Sequence, residues 1–232
     1  MRQERLNDAA IALYRVLSQN NVKFGIFGGY AVATLGGPRE SKDVDCIASV
    51  TKQEILNLLD GEAGFVAVPQ SRQDYVAFLW SDHPNRNRAV LVEIFCEGFP
   101  GATFTMAEVS PTITQVAGET QGTGSIAVLD PVYLFKGKLR AAATRGKFHD
   151  SADLRWLEST AFARLQQSKG QFSLLYVGLA LKRYPELHST FSRIGLDIGA
   201  AQAAAISYDV GHLPPPQPGD VQKGLLATPS SI

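Results

Sequence analysis

The sequence predicts an α+β fold in which a mixed β-sheet flanked by helices is followed by a helical C-terminal region. Two observations support this class. Short runs of β-branched, aromatic and aliphatic residues, bounded by turn residues, predict strands at 23–27, 43–48, 65–68, 74–80, 89–95 and 126–129. Beyond Asp130 the apolar residues follow helical spacing almost throughout, to about Tyr208.

Helices between and before these strands are predicted from start and stop signals. Residues 3–19 place apolar side chains at helical spacing before a turn at Asn20. Thr51 and Glu54 have the spacing of a capping box, which predicts a helix that begins there and continues to Leu59. The Gly-, Thr- and Pro-rich stretch 97–125 is predicted to hold a strand or two and a loop.

A glycine pair, Gly28-Gly29, directly follows the first strand and precedes a short helix predicted at 30–35. Glycines at the end of a strand allow backbone amides to approach a phosphate without an intervening side chain. The alternative is an ordinary turn, which is the commonest role of such a pair.

Two aspartates, Asp43 and Asp45, begin the second strand at i, i+2 spacing, so both side chains point to one face. At roughly 7 Å apart and an effective dielectric near 20, two carboxylates repel by about 2 kcal/mol, which favours a cation between them. Alone, such a pair is more often a solvated strand end. Together with the glycine pair on the preceding strand, it predicts a site for phosphoryl or nucleotidyl transfer.

The strand, Gly-Gly, helix, Asp-x-Asp arrangement resembles the nucleotidyltransferase superfamily related to DNA polymerase β. This superfamily includes aminoglycoside and lincosamide nucleotidyltransferases and AbiE-type toxin nucleotidyltransferases. The lead-in Arg39-Glu40-Ser41-Lys42 is similar to the R-x-[ST]-x run that often precedes the aspartates. The resemblance implies a polymerase β-like fold and a site that binds Mg²⁺ (or Mn²⁺) and a nucleoside triphosphate (NTP). By residue, Asp43 and Asp45 would be the metal ligands, and the triphosphate would be bound by Gly28, Gly29, Arg39 and Ser41.

The resemblance also implies a third carboxylate on a neighbouring strand, for which Glu93 is the best-placed candidate. Glu93 lies in an otherwise apolar strand, where an unpaired acid is costly to bury. It would be a metal ligand or the base that accepts the acceptor's hydroxyl proton. The alternative is that it lies at an exposed strand end. Many members have Asp at this position.

A second cluster is predicted on and after the helix that begins at Asp130-Pro131. Lys138 and Arg145 are seven residues apart and share a helical face. With Asp150 and Asp153 they resemble the helical segment of the AbiE-type toxins. Lys138 and Arg145 would bind phosphate, with an aspartate orienting Arg145. The alternatives are a solvated basic face, or a cluster that holds two helices together.

The overall composition narrows the expected binding partners and cellular location. Lys+Arg and Asp+Glu both number 22, so strong non-specific nucleic-acid binding is not expected. No window resembles a membrane span or a signal peptide. Two cysteines without C-x-x-C spacing predict small apolar residues of the sheet in a reducing compartment, so a cytoplasmic location is expected.

These observations predict three segments: a nucleotidyltransferase-like domain at 1–129, a helical region at 130–208 and a proline-rich, extended or disordered tail at 209–232. The predicted activity is Mg²⁺-dependent transfer of a nucleoside monophosphate from an NTP to an acceptor hydroxyl on a tRNA, a protein or a small molecule. The alternative is a catalytically degenerate relative that acts as a nucleotide-binding or interaction module.

Overall fold

The computed structural model describes residues 2–227. The chain divides into two compact units, Met1–Asp130 and Pro131–Ile232.

The first unit contains a mixed sheet. Among the described residues it has seven strands in the order β3-β4-β5-β2-β1-β7-β6. The strands are β1 Phe24–Phe27, β2 Asp43–Thr51, β3 Phe65–Val68, β4 Tyr75–Trp80, β5 Val90–Gly98, β6 Thr112–Ala117 and β7 Thr123–Val128. The β1–β7 and β2–β5 pairs are parallel, and the other pairs are antiparallel. The predicted mixed sheet is therefore confirmed.

The helices of this unit are α1 Gln3–Gln19, α2 Gly28–Thr34 and α3 Lys52–Leu59. Helix α1 buries a stripe that includes Leu6, Leu13 and Leu17, all fully inaccessible to solvent. The capping box of α3 is present, because the Thr51 backbone N–H donates to Glu54 Oε2 at 2.7 Å and the Thr51 hydroxyl accepts from the Glu54 backbone N–H.

Both cysteines, Cys46 and Cys96, are free thiols buried in the sheet. Burial raises the pKa of the Cys96 thiol to about 12, and that of Cys46 also lies above its usual range. Both sulfurs therefore stay protonated and serve as apolar packing groups.

The second unit is helical. Its helices are α4 Pro131–Thr144, α5 Phe148–Gln167, α6 Leu174–Arg183, α7 Leu187–Ile194, α8 Ile198–Ala204 and α9 Asp220–Leu226, with a 3₁₀ turn at Lys169–Gln171. Its core is partly aromatic, because the ring of Phe135 lies 4.8 Å from that of Phe172 and 6.4 Å from that of Phe191. Within residues 2–227, no helix is both long and apolar enough to cross a membrane.

Helix α9 lies within the stretch predicted to be an extended or disordered tail. It begins after Gly219, which has a left-handed φ of 84°. Its Leu225 is fully buried, and a Cβ built on Gly137 of α4 would lie 2.8 Å from Leu225 Cδ2. A seven-residue helix is marginal on local propensity alone, so this tertiary packing accounts for it and the local sequence gives no clear signal.

Candidate active site

The three predicted carboxylates lie on two adjacent parallel strands. Asp45 of β2 is directly opposite Glu93 of β5, and Asp43 is opposite Leu91. Since cross-strand partners and i, i+2 neighbours share a face, Asp43, Asp45 and Glu93 all point to the same side of the sheet. Each of the three is half-buried. The sheet register thus brings together the acids that sequence spacing places 48 to 50 residues apart.

Gly28 lies against Asp45. Strand β1 is antiparallel to β2, and Phe27 is opposite Asp45, so the chain enters α2 directly beside this carboxylate. A Cβ built on Gly28 would overlap the Asp45 carboxylate, with Cγ only 3.0 Å away, and the φ of Gly28 is +75°. Glycine is therefore required here for two independent reasons, the close approach and the left-handed backbone.

Gly29 lies against the lead-in to β2. A Cβ built on it would overlap the guanidinium of Arg39 and would lie 2.9 Å from Ser41 Oγ. Ser41 is buried, and its hydroxyl donates to Asp43 Oδ1 at 3.2 Å. The first turn of α2, which contains both glycines, is thus close to Arg39, to Ser41 and, through Ser41, to the first aspartate.

The donor set suits a hard divalent cation in its chemistry. Among residues 2–227, no three His, Cys, Asp or Glu side chains converge closely enough to form a metal site by themselves. Mg²⁺ does not require such a cage, because it usually takes one or two carboxylates and completes its shell with water and substrate phosphate oxygens. Asp43 and Asp45 on one face, next to a backbone that approaches closely, fit that mode of binding.

An aromatic row that was not predicted from the sequence flanks the carboxylates on the same face. Phe27 is opposite Asp45, and Phe95 follows Glu93 at i+2. The two phenyl rings lie 5.6 Å apart, and Tyr75 stacks on Phe95 at 5.4 Å. The i, i+2 spacing of Glu93 and Phe95 already indicates that the two side chains share a face of the sheet. These rings form an apolar wall beside the carboxylates.

The second predicted cluster forms a buried ion-pair network within the helical unit. Lys138 Nζ of α4 lies 2.8 Å from Asp153 Oδ2 and 3.4 Å from Asp150 Oδ1 of α5. Arg145 donates to both oxygens of Asp150, from Nε at 2.8 Å and from Nη2 at 3.0 Å. The structure therefore brings all four residues together and joins α4 to α5 through them.

Exposure distinguishes the members of this network. The side chains of Lys138, Asp150 and Asp153 are 5%, 0% and 2% exposed, whereas that of Arg145 is 47% exposed. Burial would raise the pKa of the Asp150 carboxyl, but the Arg145 hydrogen bonds and the Lys138 charge outweigh it and hold that pKa below its usual range. The network thus places two basic side chains against two acidic ones.

Comparison with known proteins gives one family. The family described as nucleotidyl transferase AbiEii toxin, of a type IV toxin–antitoxin system, matches residues 11–169. No curated protein sequence matches the chain.

Two of the solved structures that are similar to the chain illustrate the likeness. An antigenic nucleotidyltransferase-like protein from Paracoccidioides brasiliensis is 18% identical, with a TM-score of 0.55 over 85% of this chain and 96% of that one. The nucleotidyltransferase toxin MenT4 from Mycobacterium tuberculosis is 17% identical, with a TM-score of 0.49 over 97% of this chain and 94% of that one. At such identities the first of these supports the fold, and the family match carries the assignment.

Proposed function

We propose, since this chain belongs to the AbiEii family of nucleotidyl transferase toxins, that it moves a nucleoside monophosphate from an NTP to an acceptor hydroxyl with the help of Mg²⁺. Family membership makes the chain a nucleotidyltransferase. The metal dependence, the roles of individual residues and the acceptor are our proposals.

The observation that carries this proposal is the packing of Gly28 against Asp45. A backbone that approaches a carboxylate this closely leaves no room for a side chain at Gly28, so backbone groups lie next to the proposed metal ligand Asp45. Gly29 repeats the arrangement against Arg39 and Ser41. Both glycines therefore lie against predicted site residues, and only Gly28 also has a left-handed backbone.

The proposed roles follow from these positions. The Gly28 and Gly29 backbone amides and the Arg39 guanidinium would bind the triphosphate. Asp43 and Asp45 would hold Mg²⁺, which when bound supplies positive charge against the phosphates. Ser41, which donates to Asp43, would fix the orientation of that carboxylate.

Glu93 lies beside Asp45 and is proposed as the further metal ligand or the proton acceptor. In the transfer, the acceptor oxygen forms a bond to the α-phosphorus and the bond from that phosphorus to the bridging oxygen breaks. Pyrophosphate leaves with that bonding pair. The hydroxyl proton of the acceptor passes to a base, for which Glu93 is our candidate.

The helical cluster supports a more limited proposal. The buried Lys138 and the aspartates hold α4 to α5 and orient Arg145, whose side chain is about half exposed. Binding of phosphate by Lys138 and Arg145 stays a prediction from the resemblance. The acceptor, whether tRNA, protein or small molecule, and the cytoplasmic location also stay predictions.

One experiment tests the function directly. The purified chain is incubated with each α-labelled NTP in turn, with Mg²⁺ and with a cell extract, and the extract is separated into RNA, protein and small molecules. We expect one fraction to be labelled, and the labelling to disappear when EDTA removes the metal. If instead no NTP labels any fraction and calorimetric titration with NTP and Mg²⁺ shows no heat, the chain is a degenerate interaction module.

A further inference from the structure

The sheet of the first unit ends in β3 on one side and in β6 on the other. The two edge strands differ in whether their outward backbone groups are hydrogen-bonded. At the β3 edge, the turn that follows α3 occupies the outward backbone groups. Asp60 Oδ1 accepts from Ala67 N at 2.8 Å, while Phe65 accepts from Gly61 N at 3.0 Å and donates to Glu62 O at 2.8 Å. This edge is therefore covered by the chain itself, which is a common protection of edge strands.

The β6 edge is open. Leu129, the residue after β7, donates its backbone N–H to Ile26 O of β1 at 2.8 Å. Because backbone groups alternate in direction along a strand, the odd-numbered residues of β7 face β1. The even-numbered residues of β7 then bond to β6, and their partners there are also even-numbered, for example Thr114 opposite Ile126. In an antiparallel ladder the remaining residues point their backbone groups away from the neighbour. The odd-numbered residues of β6 therefore turn their N–H and C=O groups outward.

The outward groups of β6 are almost wholly unbonded within residues 2–227. The carbonyl of Ala117 accepts from Asn7 Nδ2 at 2.8 Å. The outward N–H and C=O groups of Ile113 and Gln115 make no hydrogen bond to that part of the chain. Both residues are exposed, with Ile113 at 53%. Two consecutive outward positions thus present a ladder of donors and acceptors to solvent.

The composition of β6 contains none of the devices that usually prevent edge pairing. The strand reads Thr-Ile-Thr-Gln-Val-Ala, with no charge and no proline, and four of its six residues are β-branched. Lysine, inward charges, proline or a bulge would be expected on an edge that must stay unpaired. The chain protects β3 and leaves β6 competent to pair.

We propose that β6 pairs antiparallel with β6 of a second copy of this chain and joins the two sheets. A two-fold axis at Thr114 sets Ile113 of one copy opposite Gln115 of the other, so the four outward groups of each copy are satisfied reciprocally. A second copy suits this edge because the strand is uncharged, and its self-pairing places no like charges opposite each other.

The position of β6 in the sheet separates this interaction from the active site. Two strands, β1 and β7, lie between β6 and the strand β2 that carries Asp43 and Asp45. Pairing at β6 extends the sheet laterally and leaves the carboxylate face as it is. Loss of the dimer should therefore leave nucleotidyl transfer unchanged, so this proposal and the proposed function can fail independently.

The test is sedimentation of the full chain over a wide concentration range. Wild type is expected to shift from monomer to dimer mass as its concentration rises. Ile113→Lys adds a charge at the pairing edge, and Gln115→Pro removes an outward N–H that makes no bond within residues 2–227. Both should raise the dissociation constant at least about tenfold, which corresponds to about 1.4 kcal/mol.

The matched control is Ile206→Lys, the same change at a residue of the second unit that is 79% exposed. This variant should dimerise like wild type.

A second measurement keeps the outcome independent of folding defects. Amide hydrogen exchange of wild type should show Ile113 and Gln115 protected at high concentration and unprotected at low concentration. Wild type that is monomeric throughout, with both amides exchanging freely, would overturn the proposal. So would a dimer that survives in a folded Ile113→Lys variant.

Discussion

Gly28 and Asp45 are in contact across the first two strands of the sheet, so closely that no side chain fits between them. The φ of Gly28 is +75°, a conformation that L-residues rarely adopt. The antiparallel register places Phe27 opposite Asp45, so the turn into α2 begins beside the carboxylate. This contact joins the glycine motif to the aspartate motif and defines the centre of the proposed site.

Gly28→Ala is expected to abolish transfer and to destabilise the fold. The left-handed backbone alone costs about 1–2 kcal/mol for a residue with a Cβ, and the methyl group would also displace Asp45. The matched control is Gly36→Ala, since Gly36 has a φ of +99° but no atom within 4 Å of the position that a Cβ would take. Thermal unfolding and transfer assays on both variants separate the two effects: Gly36→Ala should lose stability and keep activity. Equal activity in Gly28→Ala and Gly36→Ala would contradict the assigned role.

Lys138→Met is expected to destabilise the helical unit strongly. Its ammonium lies between Asp150 and Asp153, both buried, and removal of one partner from a buried ion pair typically costs about 3–5 kcal/mol. Urea unfolding followed by circular dichroism measures the change. The control is Arg88→Met, which breaks the exposed pair with Glu119 and should leave stability nearly unchanged. An unfolding curve for Lys138→Met that matches wild type would show that Lys138 does not hold the helices together.

The stability of the helical unit should rise with pH in mildly alkaline solution because of Lys136. This side chain is buried, and desolvation lowers its pKa to about 8. Between about pH 8 and the ordinary lysine pKa of about 10.4, the unfolded chain binds the proton that the folded chain has lost, so stability increases with pH. Below that window the folded state bears the cost of a buried charge.

Lys136→Met should therefore be more stable than wild type at pH 7 and should lose this alkaline increase. The measurement is the thermal midpoint as a function of pH. Lys147→Met, a change at an exposed lysine, should keep the wild-type profile. Identical slopes for wild type and Lys136→Met between pH 8 and 10 would contradict this prediction.

Local motifs made part of the proposed site predictable from sequence. Gly28, Gly29, Asp43 and Asp45 lie within one strand–helix–strand segment, where backbone chemistry and i, i+2 spacing determine what the residues can do. The capping box at Thr51 is equally local, and the structure contains it. Glu93 was proposed from its isolation in an apolar strand, and the register places it beside Asp45.

The remaining features depend on tertiary structure. The stacking of Tyr75 on Phe95 follows from the register of β4 on β5, which sequence alone does not fix. Helix α9 depends on the burial of Leu225. The open edge at β6 becomes visible only when the order of the strands is known, because nothing in its sequence tells an edge strand from a central one.

The most direct test of the proposed site is the Mg²⁺-dependent transfer activity of Asp45→Asn, compared with wild type and with Asp209→Asn, an exposed aspartate of the second unit. The thermal stability of the three proteins is measured first, to show that each is folded. Each is then assayed with the NTP that wild type uses and with the extract fraction that wild type labels. We expect Asp45→Asn to fold and to lose transfer by roughly 100-fold or more, the scale at which loss of one transition-state interaction lowers kcat. Asp209→Asn should keep full activity. A folded Asp45→Asn that labels the acceptor at the wild-type rate would contradict the proposed site.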